Sequence, residues 1–160
     1  MEPHLRHLKR LEHIWIDPVV FFITTCTRNR STLLANERVA KILVDEWKSA
    51  KLRHHWDIGR YVVMPDHVHF FCSPGIEAKP LSDFVGAWKQ WTSKRILAET
   101  HRSGPLWQRE FFDHLIRSSK SYHSKCEYVN QNPVRAGFVT KSDEWPWLGE
   151  ICDLSPRLWE

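Results

Sequence analysis

Residues 62–72, Val-Val-Met-Pro-Asp-His-Val-His-Phe-Phe-Cys, decide how this chain is predicted to fold. The pattern indicates a strand, a turn at Pro65 and a second strand, because proline supplies no donor to a sheet ladder. Side chains alternate along a strand, so His67 and His69 share one face while Val68 faces the core on the other. Two neighbouring imidazoles on an open strand face form half of a metal site.

Outward from this stretch, apolar residues either cluster as in strands or recur at helical spacing. The predicted strands cover residues 19–27, 57–64, 67–73 and 106–117. The predicted helices cover residues 37–54, 79–99 and 118–132, the last ending before Pro133, since the residue before a proline is disfavoured in a helix. The order predicts an α+β fold: a ferredoxin-like βαββαβ antiparallel sheet with two helices on one face, an appended third helix and a C-terminal tail.

The composition of the 160 residues, 42% of them apolar, suits one globular domain. We expect a basic N-terminal arm at residues 1–16, the domain at 17–148 and a tail at 149–160. No signal peptide or membrane-spanning stretch is indicated, so we expect a soluble, cytoplasmic protein. The four cysteines lack CxxC spacing, which argues against a zinc ribbon or a redox pair. A net charge of +4 permits a polyanionic partner without proving one.

The third predicted helix offers partners for the two histidines. Tyr122, Cys126 and Val129 form its apolar stripe by their spacing, whereas Tyr128 lies on a polar face with Asn132 one turn further on. A divalent metal held by two imidazoles and an amide oxygen stabilises charge that develops at a phosphate. A tyrosine beside it can then attack and form a covalent phosphotyrosine.

The spacing alone leaves other interpretations open. A His-x-His pair on a strand is more often an ordinary pair of histidines than a ligand set, because a metal site needs all its ligands. A tyrosine on a polar helix face is usually only solvated.

Three segments then resemble one family, the REP-associated tyrosine transposases, within the HUH (histidine, hydrophobic residue, histidine) single-tyrosine transposases related to insertion-sequence enzymes. Residues 63–69 resemble the HUH motif, 106–117 the fourth strand, and 127–139 the tyrosine helix with its following turn. The resemblance covers about residues 18–148. It implies an enzyme that cleaves and rejoins single-stranded DNA at the hairpins of repetitive extragenic palindromes (REP).

The resemblance also implies residue roles. His67 and His69 are metal ligands, and Tyr128 is the nucleophile that gives a 5′-phosphotyrosine and a free 3′-hydroxyl. Asn132 is the expected third ligand and Gln131 its rival; a spacing of four from Tyr128 favours Asn132. The cofactor is Mg²⁺ or Mn²⁺, and two imidazoles suit Mn²⁺ better.

One position departs from the family pattern. Many members have a tyrosine near Phe111 and Phe112, and here both residues are phenylalanine. We expect the nucleophile before Asn132 and Pro133, where Tyr128 is present.

Basic residues near the predicted site are candidate phosphate contacts, although a solvated surface explains them equally well. They are Arg28, Arg30, Lys89, Lys94, Arg117, Lys120 and Lys125. The arm, around residues 4–10, is a further candidate for contacting a DNA groove.

Two other functions fit the sequence less well. One is a hairpin-binding protein that does not cut DNA, and the other is a replication-initiation or relaxase-type nuclease, which is usually larger. We expect a monomer, with a dimer as the alternative.

Overall fold

A computed structural model describes residues 19–158, which form a five-stranded sheet with helices on both faces. The strands are β1 (Val20–Cys26), β2 (Trp56–Val63), β3 (His67–Pro74), β4 (Phe112–Ile116) and β5 (Leu148–Glu150). The helices are α1 (Glu37–His54), α2 (Leu81–Glu99) and α3 (Ser119–Arg135). The strand order is β4-β1-β3-β2-β5 and every pairing is antiparallel. The predicted α+β fold is confirmed, and the predicted arm lies outside the described residues.

The face of the sheet under α1 and α2 is a closed apolar core. Trp47 of α1 stacks on Trp88 of α2 at 5.5 Å between ring centroids, and both rings lie against Phe70 of β3. Val68 and Cys72 of β3 are also completely buried in this cluster. The predicted alternation along β3 therefore places these residues in the core, as expected.

Helix α3 lies on the opposite face. Its side chain Tyr122 packs on Phe71 of β3 at 5.0 Å between centroids, and Val129 is fully buried. The helix begins where predicted, because the Ser118 hydroxyl caps it by accepting a hydrogen bond from the Ser121 amide at 3.1 Å. Helix α3 therefore lies on the face of the sheet that carries the histidines, and both of its tyrosines are on this side of the sheet.

The fourth strand is shorter than predicted. Residues 106–111 form no ladder beyond an isolated bridge between Trp107 and Thr27. The Trp107 indole instead donates a hydrogen bond to the Thr92 hydroxyl on α2 at 3.0 Å. The apolar character of this segment reflects packing against α2 and not strand pairing.

The prediction that Pro133 ends the third helix is wrong. The helix continues to Arg135, with the Ala136 amide bonded to the Asn132 carbonyl at 3.0 Å. A proline inside a helix removes one donor, here toward the Val129 carbonyl, yet the helix continues with Pro133 buried.

The C-terminal segment contains a strand that was not predicted. β5 pairs with β2 and crosses the boundary drawn at residue 149. After it, Leu154 and Leu158 are buried in the α3-side cluster, so this segment packs against the domain. Between residues 19 and 158 we find no helix with the length and apolarity that crossing a bilayer requires.

Candidate active site

The turn between β2 and β3 fixes the start of the histidine strand. The Met64 amide donates to the His67 carbonyl at 2.8 Å and closes the turn. The Pro65 carbonyl accepts from the Leu34 amide at 3.0 Å, and the Asp66 carbonyl accepts from the Thr27 amide at 2.9 Å. Backbone contacts on both sides therefore hold the histidines in register.

His67 and His69 lie side by side, with ring centroids 4.9 Å apart. The Nδ1 atom of His67 is 2.8 Å from Oδ1 of Asp66. An ionised carboxylate only accepts hydrogen bonds, so Nδ1 must carry the proton. In the neutral ring this leaves the Nε2 lone pair available, which is the usual arrangement of a metal-bound histidine with its supporting carboxylate.

His69 is held neutral by its surroundings. Burial, helped by the charges of Lys125 and Arg135 and by His67, lowers its pKa to about 3. Its Nδ1 atom is 2.8 Å from the Thr24 hydroxyl, and no other hydrogen bond of this ring is found among residues 19–158. Deprotonated imidazoles are the form that binds metals.

An arginine supports the carboxylate behind His67. The Arg30 Nε donates to Oδ2 of Asp66 at 2.8 Å, from a backbone in the left-handed region (φ 54°) that follows a left-handed Asn29 (φ 58°). Burial works to raise the pKa of Asp66, but hydrogen bonds from His67 and Arg30 outweigh it and lower the pKa. Arg30, which was predicted to contact phosphate, therefore bonds the carboxylate that contacts His67. Its side chain is 53% exposed.

Tyr128 lies beside His69. Its ring centroid is 5.8 Å from that of His69, and 42% of the residue is exposed. Tyr122, one and a half turns earlier, is only 3% exposed, and burial raises its pKa. The division between a core tyrosine and an open one, predicted from helical spacing, is what the structure shows.

Two cations flank the Tyr128 ring. The Lys125 ammonium is 5.2 Å from the ring centroid, and the Arg135 guanidinium is 4.4 Å from it. Arg135 also donates to the Tyr128 carbonyl at 3.0 Å. Sequence analysis missed Arg135, although its spacing of seven from Tyr128 places both on one side of a helix that continues through Pro133.

The amide candidates for a third ligand are on α3. Asn132 lies one turn after Tyr128 and is partly buried, and Gln131 is partly buried as well. No group of three His, Cys, Asp or Glu side chains that could hold a metal ion converges within residues 19–158. A side-chain amide as third ligand, and the choice between Asn132 and Gln131, stay predictions.

The remaining predicted phosphate contacts occupy two kinds of position. Arg28, Lys94, Arg117 and Lys120 are exposed. The Lys89 ammonium instead donates to the Gln108 carbonyl at 2.6 Å and the Arg109 carbonyl at 3.1 Å, which ties α2 to the segment before β4. A role for any of them in binding DNA stays a prediction.

Known proteins are similar to this chain in sequence and in fold. A REP-associated tyrosine transposase of Escherichia coli (strain K12) is 27% identical over 154 residues, spanning 84% of this chain and 88% of its own length. A REP-associated tyrosine transposase solved bound to a REP hairpin superposes with a TM-score of 0.67 at 26% identity, covering 84% of this chain and 78% of its own. A solved chain from Deinococcus radiodurans, 21% identical with a TM-score of 0.54 over 71% of this chain and 91% of its own, shares the fold.

The resemblance inferred from three segments is therefore confirmed. The family model described as "Transposase IS200 like" matches residues 19–132, a range that begins just before β1 and ends at Asn132. It spans both histidines, Tyr128 and most of α3. Since this match covers well over half of the 160 residues, the chain belongs to the IS200-like transposase family.

Proposed function

We propose that this protein is a metal-dependent transposase that binds REP-type DNA hairpins, cuts the adjoining single strand and rejoins it through a tyrosine–DNA intermediate. The observation that carries the proposal is the contact between Tyr128 and His69, 5.8 Å apart between ring centroids and contributed by one chain. A nucleophile and a metal-ligand pair in contact are the minimal parts of such a site.

A divalent ion fits the histidine pair. His67 and His69 would hold it through Nε2, with the side-chain amide of Asn132, or of Gln131, as the third protein ligand. Asp66 and Thr24 occupy the other ring nitrogens and thereby orient both rings. When bound, Mg²⁺ or Mn²⁺ supplies positive charge to a phosphate oxygen as the reaction proceeds.

Tyr128 performs the transfer itself. Its Oη forms a bond to phosphorus while the bond from phosphorus to the 3′-oxygen breaks. The phenol proton leaves to solvent and the departing 3′-oxygen takes up a proton, so the products are a 5′-phosphotyrosine and a free 3′-hydroxyl. Attack by another 3′-hydroxyl reverses these steps, and no nucleotide cofactor is consumed.

Lys125 and Arg135 carry the positive charge that would balance the negative charge of the DNA phosphate. Both lie within 5.2 Å of the Tyr128 ring centroid, beside which the scissile phosphate must sit to be attacked. Cations there balance the phosphate charge and the negative charge that develops on the phenol oxygen. The predicted contacts Arg28, Lys94, Arg117 and Lys120 would extend the basic surface along the DNA.

The hairpin partner comes from the relative that was solved bound to a REP hairpin. Because one chain supplies both the histidines and the tyrosine, a monomer is sufficient for cleavage. A DNA substrate of this kind supports the cytoplasmic location expected from the sequence.

The test is covalent capture. A hairpin with a single-stranded flank is incubated with the protein and Mn²⁺ or Mg²⁺, and products are separated under denaturing conditions. We expect a protein–DNA adduct that disappears with a chelator and a released strand that ends in a 3′-hydroxyl. Tight hairpin binding with no adduct in either metal would instead support a binding protein that does not cut.

A further inference from the structure

The exposed half of edge strand β4 lies on the face of the sheet that carries the histidines. Phe112 of β4 is paired with Thr24 of β1, and Thr24 is paired with His69 of β3. Side chains of directly paired residues project to the same face. Phe112 therefore shares the face of His69 at a distance of two strand spacings, about 10 Å.

Helix α3 covers only one end of this strand. Ile116, at the end of β4 near the start of α3, is completely buried in the α3-side cluster. Phe112, at the other end, is 66% exposed, and His114 between them is exposed as well. A large aromatic ring is thus left open beside the site, in a part of the sheet that no described element covers.

Charge on this face is positive. The Lys125 ammonium lies 5.0 Å from the Phe22 ring centroid and 5.2 Å from that of Tyr128, and no carboxylate of residues 19–158 pairs with it. Phe22 is in turn the partner of His114 in β4. The acidic residue of β4, Asp113, is paired with Ile23, whose side chain belongs to the α1–α2 core, so it faces the other way.

A cation followed by an exposed aromatic ring is the pattern of a single-strand binding surface, in which the cation contacts the backbone and the ring stacks on a base. The path from Tyr128 past Lys125 to Phe112 runs across β1 to the sheet edge. We propose that Phe112 stacks on an unpaired base of the strand that Tyr128 cuts, and so sets how the single-stranded flank lies in the site. This inference rests on the proposed function and adds a base-binding position to it.

The main competing occupant of an exposed edge strand is a second copy of the chain. Edge strands carry unpaired backbone groups and pair readily with another strand. The positive charge beside Phe112 favours DNA as the occupant, since a second copy would bring the same charge against it. Oligomeric state therefore belongs in the test.

The test compares Phe112→Ala and Phe112→Trp with the matched control Leu115→Ala, an exposed residue of the same strand that projects to the opposite face. Affinity is measured for a DNA hairpin with a single-stranded flank and for the same hairpin without it. A fluorescent base analogue, 2-aminopurine, in the flank reports stacking by quenching. Light scattering gives the mass of each variant.

Phe112→Ala should weaken binding of the flanked hairpin about tenfold or more, which is the expected loss of one base–aromatic stack. It should leave the flankless hairpin unaffected and relieve the quenching, whereas Phe112→Trp and Leu115→Ala should behave as the parent does. If Phe112→Ala binds the flanked hairpin as tightly as the parent, the inference is wrong and the proposed function stands. If instead the parent is a dimer that Phe112→Ala converts to a monomer, the occupant is a second copy. A parent that binds neither hairpin and forms no adduct overturns the proposed function, and this inference with it.

Discussion

The two faces of β3 differ more than their shared strand suggests. Under α1 and α2, Val68 and Phe70 are completely buried in a core that contains several tryptophans. On the other face α3 covers Phe71 with Tyr122, but leaves Tyr128 half open beside His69. Successive residues of one strand thus serve stability and chemistry in turn, because the helix on the second face covers only part of it.

The largest expected effect comes from comparing substitutions at His69 and Phe70, which are neighbours in β3 but face opposite sides of the sheet. His69→Ala should bring adduct formation below detection, because it removes a metal ligand next to the nucleophile. Phe70→Leu should lower the free energy of unfolding by about 1–3 kcal/mol, as other core changes do, while the folded protein still forms the adduct. Urea unfolding and the adduct assay are run on both variants. If His69→Ala keeps the activity, or if Phe70→Leu loses it while folded, the two faces are not functionally distinct.

Lowering the pH should destabilise the metal-free protein through two buried histidines. His69 lies on the face that α3 partly covers, and His54 lies on the side of the α1–α2 core. Burial lowers the pKa of both, that of His69 to about 3. As the pH falls below about 6.5, these histidines become protonated in the unfolded chain but stay neutral in the folded chain. The free energy of unfolding of the metal-free protein therefore decreases. The His69 contribution at pH 4.5 relative to pH 7.5 is about 2–3 kcal/mol.

Urea unfolding in chelator at the two pH values measures this loss. His69→Gln should reduce the pH dependence and leave the part due to His54. An unchanged dependence in His69→Gln would mean that His69 is not held neutral in the folded protein.

Substitution of Asp66, which contacts His67, should have a smaller effect than substitution of a histidine ligand. Asp66→Asn removes the charge that orients His67 and anchors Arg30, so Mn²⁺ affinity should fall about 10- to 100-fold. Electron paramagnetic resonance of free Mn²⁺ during a titration gives the affinity without any need for activity. Asp45→Asn, which alters a surface pair with Lys41, is the matched control. Equal affinities in the two variants would remove Asp66 from the site.

The smallest effect is expected at Arg135. Arg135→Gln should slow adduct formation about tenfold, roughly the value of one hydrogen bond to a charged group, without changing Mn²⁺ affinity. Arg38→Gln on α1 changes another exposed arginine and should leave the rate unchanged. A normal rate in Arg135→Gln would show that Arg135 is not used in the reaction.

The parts of the site predicted from sequence are those that follow from regular periodicity. The period of two in β3 places both histidines on one face, and the helical period of α3 separates Tyr128 from Tyr122. The contact of Arg30 with Asp66 could not be predicted from the sequence. It depends on two consecutive left-handed residues, 29 and 30, which bring the arginine to Asp66. Asparagine adopts this conformation more often than most residues, but nothing in the sequence indicates it for Arg30.

Other gaps have equally local causes. Arg135 was placed beyond the helix because Pro133 was expected to end it, yet the helix continues past this buried proline. β5 has three residues, too few to show any period. The apolar residues before β4 resembled a strand because Trp107 faces α2.

The central claim is that Tyr128, docked on the histidine strand of its own chain, carries the DNA. The chain has three tyrosines, so each can be tested singly: Tyr128, its buried neighbour Tyr122 on α3, and Tyr61 on β2. Each is changed to Phe, and the adduct with a flanked hairpin in Mn²⁺ is quantified and digested to locate the modified peptide. We predict no adduct for Tyr128→Phe, a normal adduct for Tyr122→Phe and Tyr61→Phe, and DNA attached to the peptide that contains residue 128. An adduct that persists in Tyr128→Phe, or that maps to another peptide, would contradict the claim.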